Sequence, residues 1–364
     1  MLNSRAIATP TAYSLLGVRR VVNAAGIYTD LGGSVLPPAV RDAVHEVNGS
    51  FASMTELLER SGERLAVLLG VEAARVVPGA SAGIALSVGA CMTRADGPKM
   101  EQLPDTAGMR GGVLIQRGHH YKYDRCARMT GARVVEGDLT DFTDIACVLH
   151  PAHLDGANGT QKLEEAAEAA HANGVPVVVD AAYMSYPTDL IASYAERGGD
   201  LVCFSAKYFY GPNAGGFVYG TRELIDAVAQ IDFTRFESGP HLIFGRAFKL
   251  DRSAVVGTVL ALDEWLTADH DARWESYRVR AERLAEELGG TTAQFTLDER
   301  LIPEPVNSLV LEVGDRANAL ADELAAGDPS IVCVPMDGKL VFCVETVDEA
   351  DEALLAERIR SLGV

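Results

Sequence analysis

Val175-Pro-Val-Val-Val-Asp-Ala-Ala-Tyr183, followed after a helical stretch by Asp200-Leu-Val-Cys-Phe-Ser-Ala-Lys-Tyr-Phe-Tyr-Gly-Pro-Asn-Ala-Gly-Gly-Phe-Val-Tyr-Gly220, is the passage that decides the fold. Residues 175–179 are a short apolar run rich in β-branched side chains, as expected of a strand buried on both faces. The run stops at Asp180. A carboxylate at the C-terminal end of a parallel strand lies where open α/β sheets bind ligands. Residues 201–204 predict a second buried strand, with Ser205 and Lys207 just past its end. Residues 211–216 are rich in turn formers, and 217–219 begin a third strand.

This arrangement suggests a division of labour. A lysine at a strand end in apolar surroundings can lose its proton easily and act as a Schiff-base nucleophile. A carboxylate on the neighbouring strand can pair with a pyridinium nitrogen. Together the two groups are able to hold pyridoxal 5'-phosphate and make its ring an electron sink. The plainer reading stays open at this point: Asp180 as a cap and Lys207 as a solvated loop lysine.

Outward from this passage, strands alternate with helices over about 70–220. Short strands are expected at 75–77, 112–116, 133–135 and 145–149, and helices at 38–48, 54–69, 83–92 and 160–173. That alternation predicts an α/β fold, with a large domain built on a mainly parallel, helix-flanked sheet. Val255, Val256, Val259, Leu262 and Leu266 form the apolar stripe of a long helix. Beyond about 285, strands at 307–313, 330–334 and 339–344 and helices at 317–325 and 347–362 predict a small C-terminal α/β domain. The organisation read from the chain is an N-terminal segment over 1–50 that packs on the small domain and a dimer interface, a cofactor-binding domain over 51–245, a connecting helix over 246–285, and the small domain over 286–364.

Residues 78–82 predict a tight turn between a strand and an apolar helix. The free N–H groups of such a helix start make a phosphate cradle, with the Ser81 hydroxyl as a further donor. Gly79-Ala-Ser-Ala-Gly83 also matches G-x-S-x-G, the nucleophile elbow of serine hydrolases. Asp180 and His241 follow in the right order for a triad, so hydrolysis through Ser81 is a rival reading. Arg117-Gly-His-His-Tyr121 closes the strand over 112–116. A histidine there could stack on a flat ring or move a proton. His150 and His153 close the strand over 145–149 at the same edge.

The chain has 51 acidic and 32 basic residues, a formal net charge of −19. Such a surface repels phosphate backbones and anionic bilayers, which argues against nucleic-acid and membrane partners. No apolar run reaches bilayer length, and no basic-then-apolar signal opens the chain. The six cysteines form no C-x-x-C pair, so buried free thiols in a reducing cytoplasm are expected rather than a metal site.

Several stretches, in order, resemble one family. Val22-Asn-Ala-Ala-Gly26 with Leu31-Gly-Gly-Ser34, Glu59-Arg-Ser-Gly-Glu-Arg-Leu65, Pro78-Gly-Ala-Ser-Ala-Gly83, Asp180, Ser205-Ala-Lys207 and Phe244-Gly-Arg-Ala-Phe-Lys249 are similar to pyridoxal-phosphate enzymes of the aspartate aminotransferase fold (fold type I), in the selenocysteine-synthase-like branch that includes D-glucosaminate-6-phosphate ammonia-lyases. The likeness runs from about 15 to 270. It implies that Lys207 forms the Schiff base, Asp180 pairs with the pyridine nitrogen, and Ser81, Ala82 and Ser205 hold the phosphate. It implies that His119 stacks on the ring, with His120 the second choice, and that Arg246 or Lys249 binds the substrate's carboxylate. It also implies α-proton abstraction from an amino acid or amino sugar acid, then α,β-elimination, with transamination or racemisation as alternatives on the same cofactor. A homodimer or larger homo-oligomer is expected, with Tyr28 or Thr29 near the neighbouring subunit's site. The acidic charge argues against a tRNA substrate.

Overall fold

A computed structural model describes residues 11–289, 291–297 and 305–363. The chain divides into two compact units, one of Ser34–Thr267 and the other of the residues up to Gly33 and from Ala268 onward. The strands are β1 (Val21–Asn23), β2 (Ala73–Val77), β3 (Gly112–Gln116), β4 (Arg133–Gly137), β5 (Ile145–Pro151), β6 (Val177–Asp180), β7 (Leu201–Ser205), β8 (Gly216–Gly220), β9 (Thr291–Leu297), β10 (Pro305–Glu312), β11 (Ser330–Val332), β12 (Val334–Met336) and β13 (Lys339–Cys343).

The larger unit is built on a seven-stranded sheet in the order β2-β8-β7-β6-β5-β3-β4. The five strands from β7 to β4 are mutually parallel, and β8 runs antiparallel to both its neighbours. Alternation along each strand feeds two cores. Val177, Val179, Val202, Phe204, Phe217 and Tyr219 face one side, under helices Met54–Leu69 and Arg252–Thr267. Val178, Leu201, Cys203 and Val218 face the other, under helices Gly79–Thr93 and Arg222–Ile231. Burial on both faces is why the strands read as unbroken apolar runs. On the first face Phe204 stacks on Phe217 and Tyr219, with centroids 5.1 and 6.0 Å apart.

Helix Gly79–Thr93 begins four residues before its expected start, so the expected turn is its first turn. Every one of its residues except Ser81 is buried. A helix apolar all round belongs at the centre of a unit, and this one packs across β5 to β8. Helix Met54–Leu69 is capped by the Ser53 hydroxyl, which accepts the Glu56 N–H at 3.4 Å, and ends at Gly70 in the left-handed region.

In the smaller unit β12, β13, β10 and β9 form an antiparallel sheet, and β1 pairs in parallel with β11. Val22, Leu284, Leu309, Leu320, Phe342 and Leu355 share its core. The stretch expected to be one connecting helix over 246–285 is two helices, Arg252–Thr267 and His270–Leu288, one in each unit. Asp269 causes the break by capping the second, its carboxylate accepting the Ala272 N–H at 2.9 Å. The strand expected over 330–334 is likewise divided, into β11 and β12.

Edge strand β2 carries Arg75, whose Nε donates to Asp232 Oδ2 at 2.9 Å in the buried interior. Asp232 Oδ1 meanwhile accepts from the Thr234 N–H and hydroxyl, at 2.9 and 2.6 Å. Removing one partner of such a pair strands a buried charge. Asp232→Ala should therefore lower stability by about 3–5 kcal/mol, read as an earlier denaturant midpoint. A midpoint equal to wild type would show that the pair carries no net stability.

Candidate active site

Asp180 and Lys207 come from adjacent strand ends. Asp180 closes β6 and lies opposite Cys203 of β7. Lys207 sits in the single turn Ala206–Phe209 that follows β7. Backbone bonds tie the two ends together: the Ala181 N–H donates to the Cys203 carbonyl and the Ser205 N–H to the Ala182 carbonyl, both at 3.0 Å. The turn bearing Lys207 is held by Ala206 N–H to the Gly215 carbonyl at 2.9 Å and Gly211 N–H to the Ala206 carbonyl at 2.8 Å. Asp180, Ser205 and Lys207 are all buried.

Asp180 Oδ1 accepts the Ala182 N–H at 3.1 Å, and Oδ2 accepts the Tyr121 hydroxyl at 2.6 Å. No cation pairs with it among the described residues. Burial raises its pKa above the ordinary carboxylate range, while the two donors pull the other way. Burial and the Asp180 charge push the Tyr121 phenol well up, so it stays protonated and donates. From Tyr121 a line of rings runs toward the lysine turn. Its centroid is 5.5 Å from that of His153, His153 is 5.4 Å from Tyr183, and Tyr183 is 5.8 Å from Tyr208. Lys207 Nζ lies 5.0 Å from the Tyr208 centroid.

Ser81 is the one exposed residue of the central helix and lies beside the Cys126 thiol. Its neighbour Ala82 is buried in the same first turn. Gly79 opens that turn with φ +78°, a left-handed conformation that glycine adopts without strain. The N–H groups of this first turn have no partner within the helix, and a helix start of this kind is where anions can bind. Asp180 is engaged by Tyr121 and Ala182, while His241 Nδ1 lies 3.4 Å from Glu101. The triad expected for hydrolysis is therefore not assembled around Ser81.

The histidines after β3 depart from expectation. His119 is fully buried, its Nε2 bonded to the Leu154 carbonyl at 2.9 Å and its ring edge-on to His150. Burial and His150 push its pKa down to about 4, so it is neutral. It leaves no ring face open to a ligand. His120 is exposed, with Nδ1 2.6 Å from Asp124 Oδ2. The residue of this loop that reaches Asp180 is Tyr121, which sequence reasoning passed over although it follows the histidine pair directly. Arg246 donates from Nε to Glu237 at 2.6 Å, and Lys249 is exposed. Tyr28 lies half-exposed in the smaller unit, bridged to Gly33.

A buried carboxylate without a cation, a buried lysine on the next strand end and an anion cradle suit a flat cationic ring that carries an amine-reactive carbon and a phosphate. Residues 120–236 match the aminotransferase class-V family. The chain is 28% identical to D-glucosaminate-6-phosphate ammonia lyase of Salmonella typhimurium (strain 14028s / SGSC 2262), over 98% of each chain. It is 28% identical to the 5'-C-glycyluridine monooxygenase-decarboxylase of a Streptomyces species, covering 88% of this chain and 83% of that one. It is also 28% identical to the L-seryl-tRNA(Sec) selenium transferase of Moorella thermoacetica, over 60% of this chain and 52% of that one. A solved structure of D-glucosaminate-6-phosphate ammonia-lyase superposes with a TM-score of 0.82, again over 98% of each chain. The architecture is that of fold type I, and the resemblance extends past residue 270 to the whole chain. The family implies pyridoxal phosphate as cofactor.

The uncompensated carboxylate makes a test that needs no substrate. A carboxyl whose pKa is higher folded than unfolded binds more protons folded, so stability falls as pH rises across that interval. Asp180→Asn should raise the melting temperature of cofactor-free protein by a few degrees at pH 7. The gain should shrink as the pH drops toward the ordinary carboxylate range. A variant that melts below wild type at pH 7 would mean that the carboxylate is already compensated.

Proposed function

We propose that this fold-type I enzyme binds pyridoxal 5'-phosphate through Lys207 and releases ammonia from an amino sugar acid or amino acid after an α,β-elimination. The observation that carries the reading is the buried Asp180, which has no cation partner among the described residues, set beside the buried Lys207. When bound, the cofactor supplies an electron sink for the pair left behind when the substrate loses its α-proton.

The chain's own groups do the rest. Asp180 holds the proton of the ring nitrogen by charge and hydrogen bond, a strong interaction in a buried setting. Tyr121 keeps that carboxylate oriented and takes the ring-facing place expected of His119 or His120. The first turn of helix Gly79–Thr93, with the Ser81 hydroxyl, receives the phosphate, and Ser205 lies nearby at the end of β7. The Lys207 amine would hold the cofactor and, when free, would take the substrate's α-proton. Loss of a β-substituent and hydrolysis then release a 2-keto acid and ammonia. A substrate carboxylate that recruits Arg246 must compete with Glu237, whereas Lys249 offers an exposed ammonium.

Elimination is preferred to transamination or racemisation because the whole-length relative is an ammonia lyase, and D-glucosaminate 6-phosphate is the first substrate to try. A small-molecule substrate suits the acidic chain better than a tRNA. Purified enzyme with cofactor should absorb in the visible, and Lys207→Ala should lose that band along with at least a hundredfold of turnover. A screen of amino acids and amino sugar acids for keto acid and ammonia separates the three reactions. Keto acid without ammonia would indicate transamination, and inversion alone a racemase. Wild-type turnover in Lys207→Ala would sink the proposal.

We place the working form in a homodimer in the cytoplasm. The half-exposed Tyr28, beside Thr29, and the solvent-facing Phe51 and Val35 support a subunit contact. Mass in solution should stay dimeric at assay concentration. A monomer with full activity at every dilution would overturn the shared site.

A further inference from the structure

The loop that carries Tyr121 also lines an open cavity of about 820 Å³, which the chemistry above leaves unused. Lys122, Arg125 and Arg128 stand on its wall at a spacing of three residues, all exposed. Acids outnumber bases by 51 to 32 in this chain, and cations elsewhere are taken up, as Arg94 is by Glu223 and Arg133 by Asp144. Among the described residues no carboxylate lies within ion-pair reach of Lys122, Arg125 or Arg128. The one acid of the lining, Asp124, is buried and faces His120. Three cations against one carboxylate leave a net of two positive charges, with His120 counted as neutral.

We propose that Lys122, Arg125 and Arg128 form a subsite for a phosphate monoester at the far end of the substrate. This rests on the reading of Lys207 as the point where the substrate's amine is held. Tyr121 belongs both to the Asp180 contact and to the cavity, which puts the three cations on the chain segment directly beside the proposed site. The charge selects the ligand. A carboxylate is satisfied by a single guanidinium, whereas a phosphate dianion has three oxygens and a charge that matches the net surplus. Two guanidinium forks and an ammonium supply donors for all three oxygens.

The test uses a variant carrying Lys122→Gln, Arg125→Gln and Arg128→Gln together. Far-ultraviolet circular dichroism and cofactor absorbance check that it folds and loads. Calorimetric titration of cofactor-loaded protein with inorganic phosphate should show one site in wild type and at least tenfold weaker binding in the variant. With a substrate pair that differs only in a terminal phosphate, the ratio of the phosphorylated to the unphosphorylated KM should rise at least tenfold in the variant. Phosphate binding equal in both proteins overturns the subsite, even if no substrate is found. Lost phosphate binding with an unchanged KM ratio assigns the site to free phosphate and overturns the substrate role. Parallel loss on both substrates marks a structural effect and also overturns it. Activity on neither substrate, with phosphate binding still lost in the variant, counts against the proposed reaction and leaves the anion site standing.

Discussion

Backbone meets backbone at Gly216, and the site is assembled around that contact. A Cβ there would stand 2.4 Å from the Phe204 carbonyl oxygen and 2.6 Å from the Gly79 Cα. Those atoms belong to three separate parts: β8 at its start, β7 just before Ser205, and the first residue of the central helix. No side chain fits, and no rotamer change relieves the overlap, because the obstructing atoms are main chain. The absence of one methyl group thus fixes the distance between the first turn of the central helix, which carries Ser81, and the turn that bears Lys207. Gly215 adds a second such approach, with a Cβ 2.2 Å from the Thr258 hydroxyl of the helix on the opposite face. The loop is rich in small residues because it is the seam where sheet, central helix and lysine turn are joined.

Set against this rigid seam is an electrostatic imbalance. Buried charges elsewhere are paired: Arg75 with Asp232 in the larger unit, Arg280 with Glu352 in the smaller. Asp180 has only dipoles, a phenol and a backbone N–H. Dipoles orient a carboxylate but do not neutralise it, so the folded chain retains an unmet demand for positive charge in its interior. Protein sites that are destabilising in isolation and complementary to a ligand commonly lie where function is carried out.

How much of this could be read in advance depended on the range of the interaction. The strands around Asp180 and Lys207 are continuous apolar runs, so their type and order were legible, as was the close of each run at a ligand-facing edge. The role of Tyr121 was not legible, because its contact with Asp180 joins β3 to β6 across the end of β5, and strand order within a sheet is not encoded locally. His119 looked like a ring partner for the same reason in reverse: its sequence position is right, but its burial against His150 and Leu154 comes from a distant segment. The smaller unit was harder. β1 and β11 have three residues each, too few for any periodicity, and their pairing links opposite ends of the chain. The break at Asp269 was hidden because a capping aspartate inside a long polar helical stretch resembles any other surface acid.

The parallel pairing of Val21 with Ser330 has a further consequence for how the protein is made. The smaller unit is assembled from both ends of the chain, with Ser34–Thr267 inserted between them. On the ribosome, the residues of the larger unit emerge as one continuous stretch and can collapse as they appear. Strand β1 emerges before them and has nothing to pair with until β11 leaves the exit tunnel. Through most of translation, the edge of Val21 and Val22 is therefore an unsatisfied strand, the kind of segment that chaperones cover and that misassembles between nascent chains.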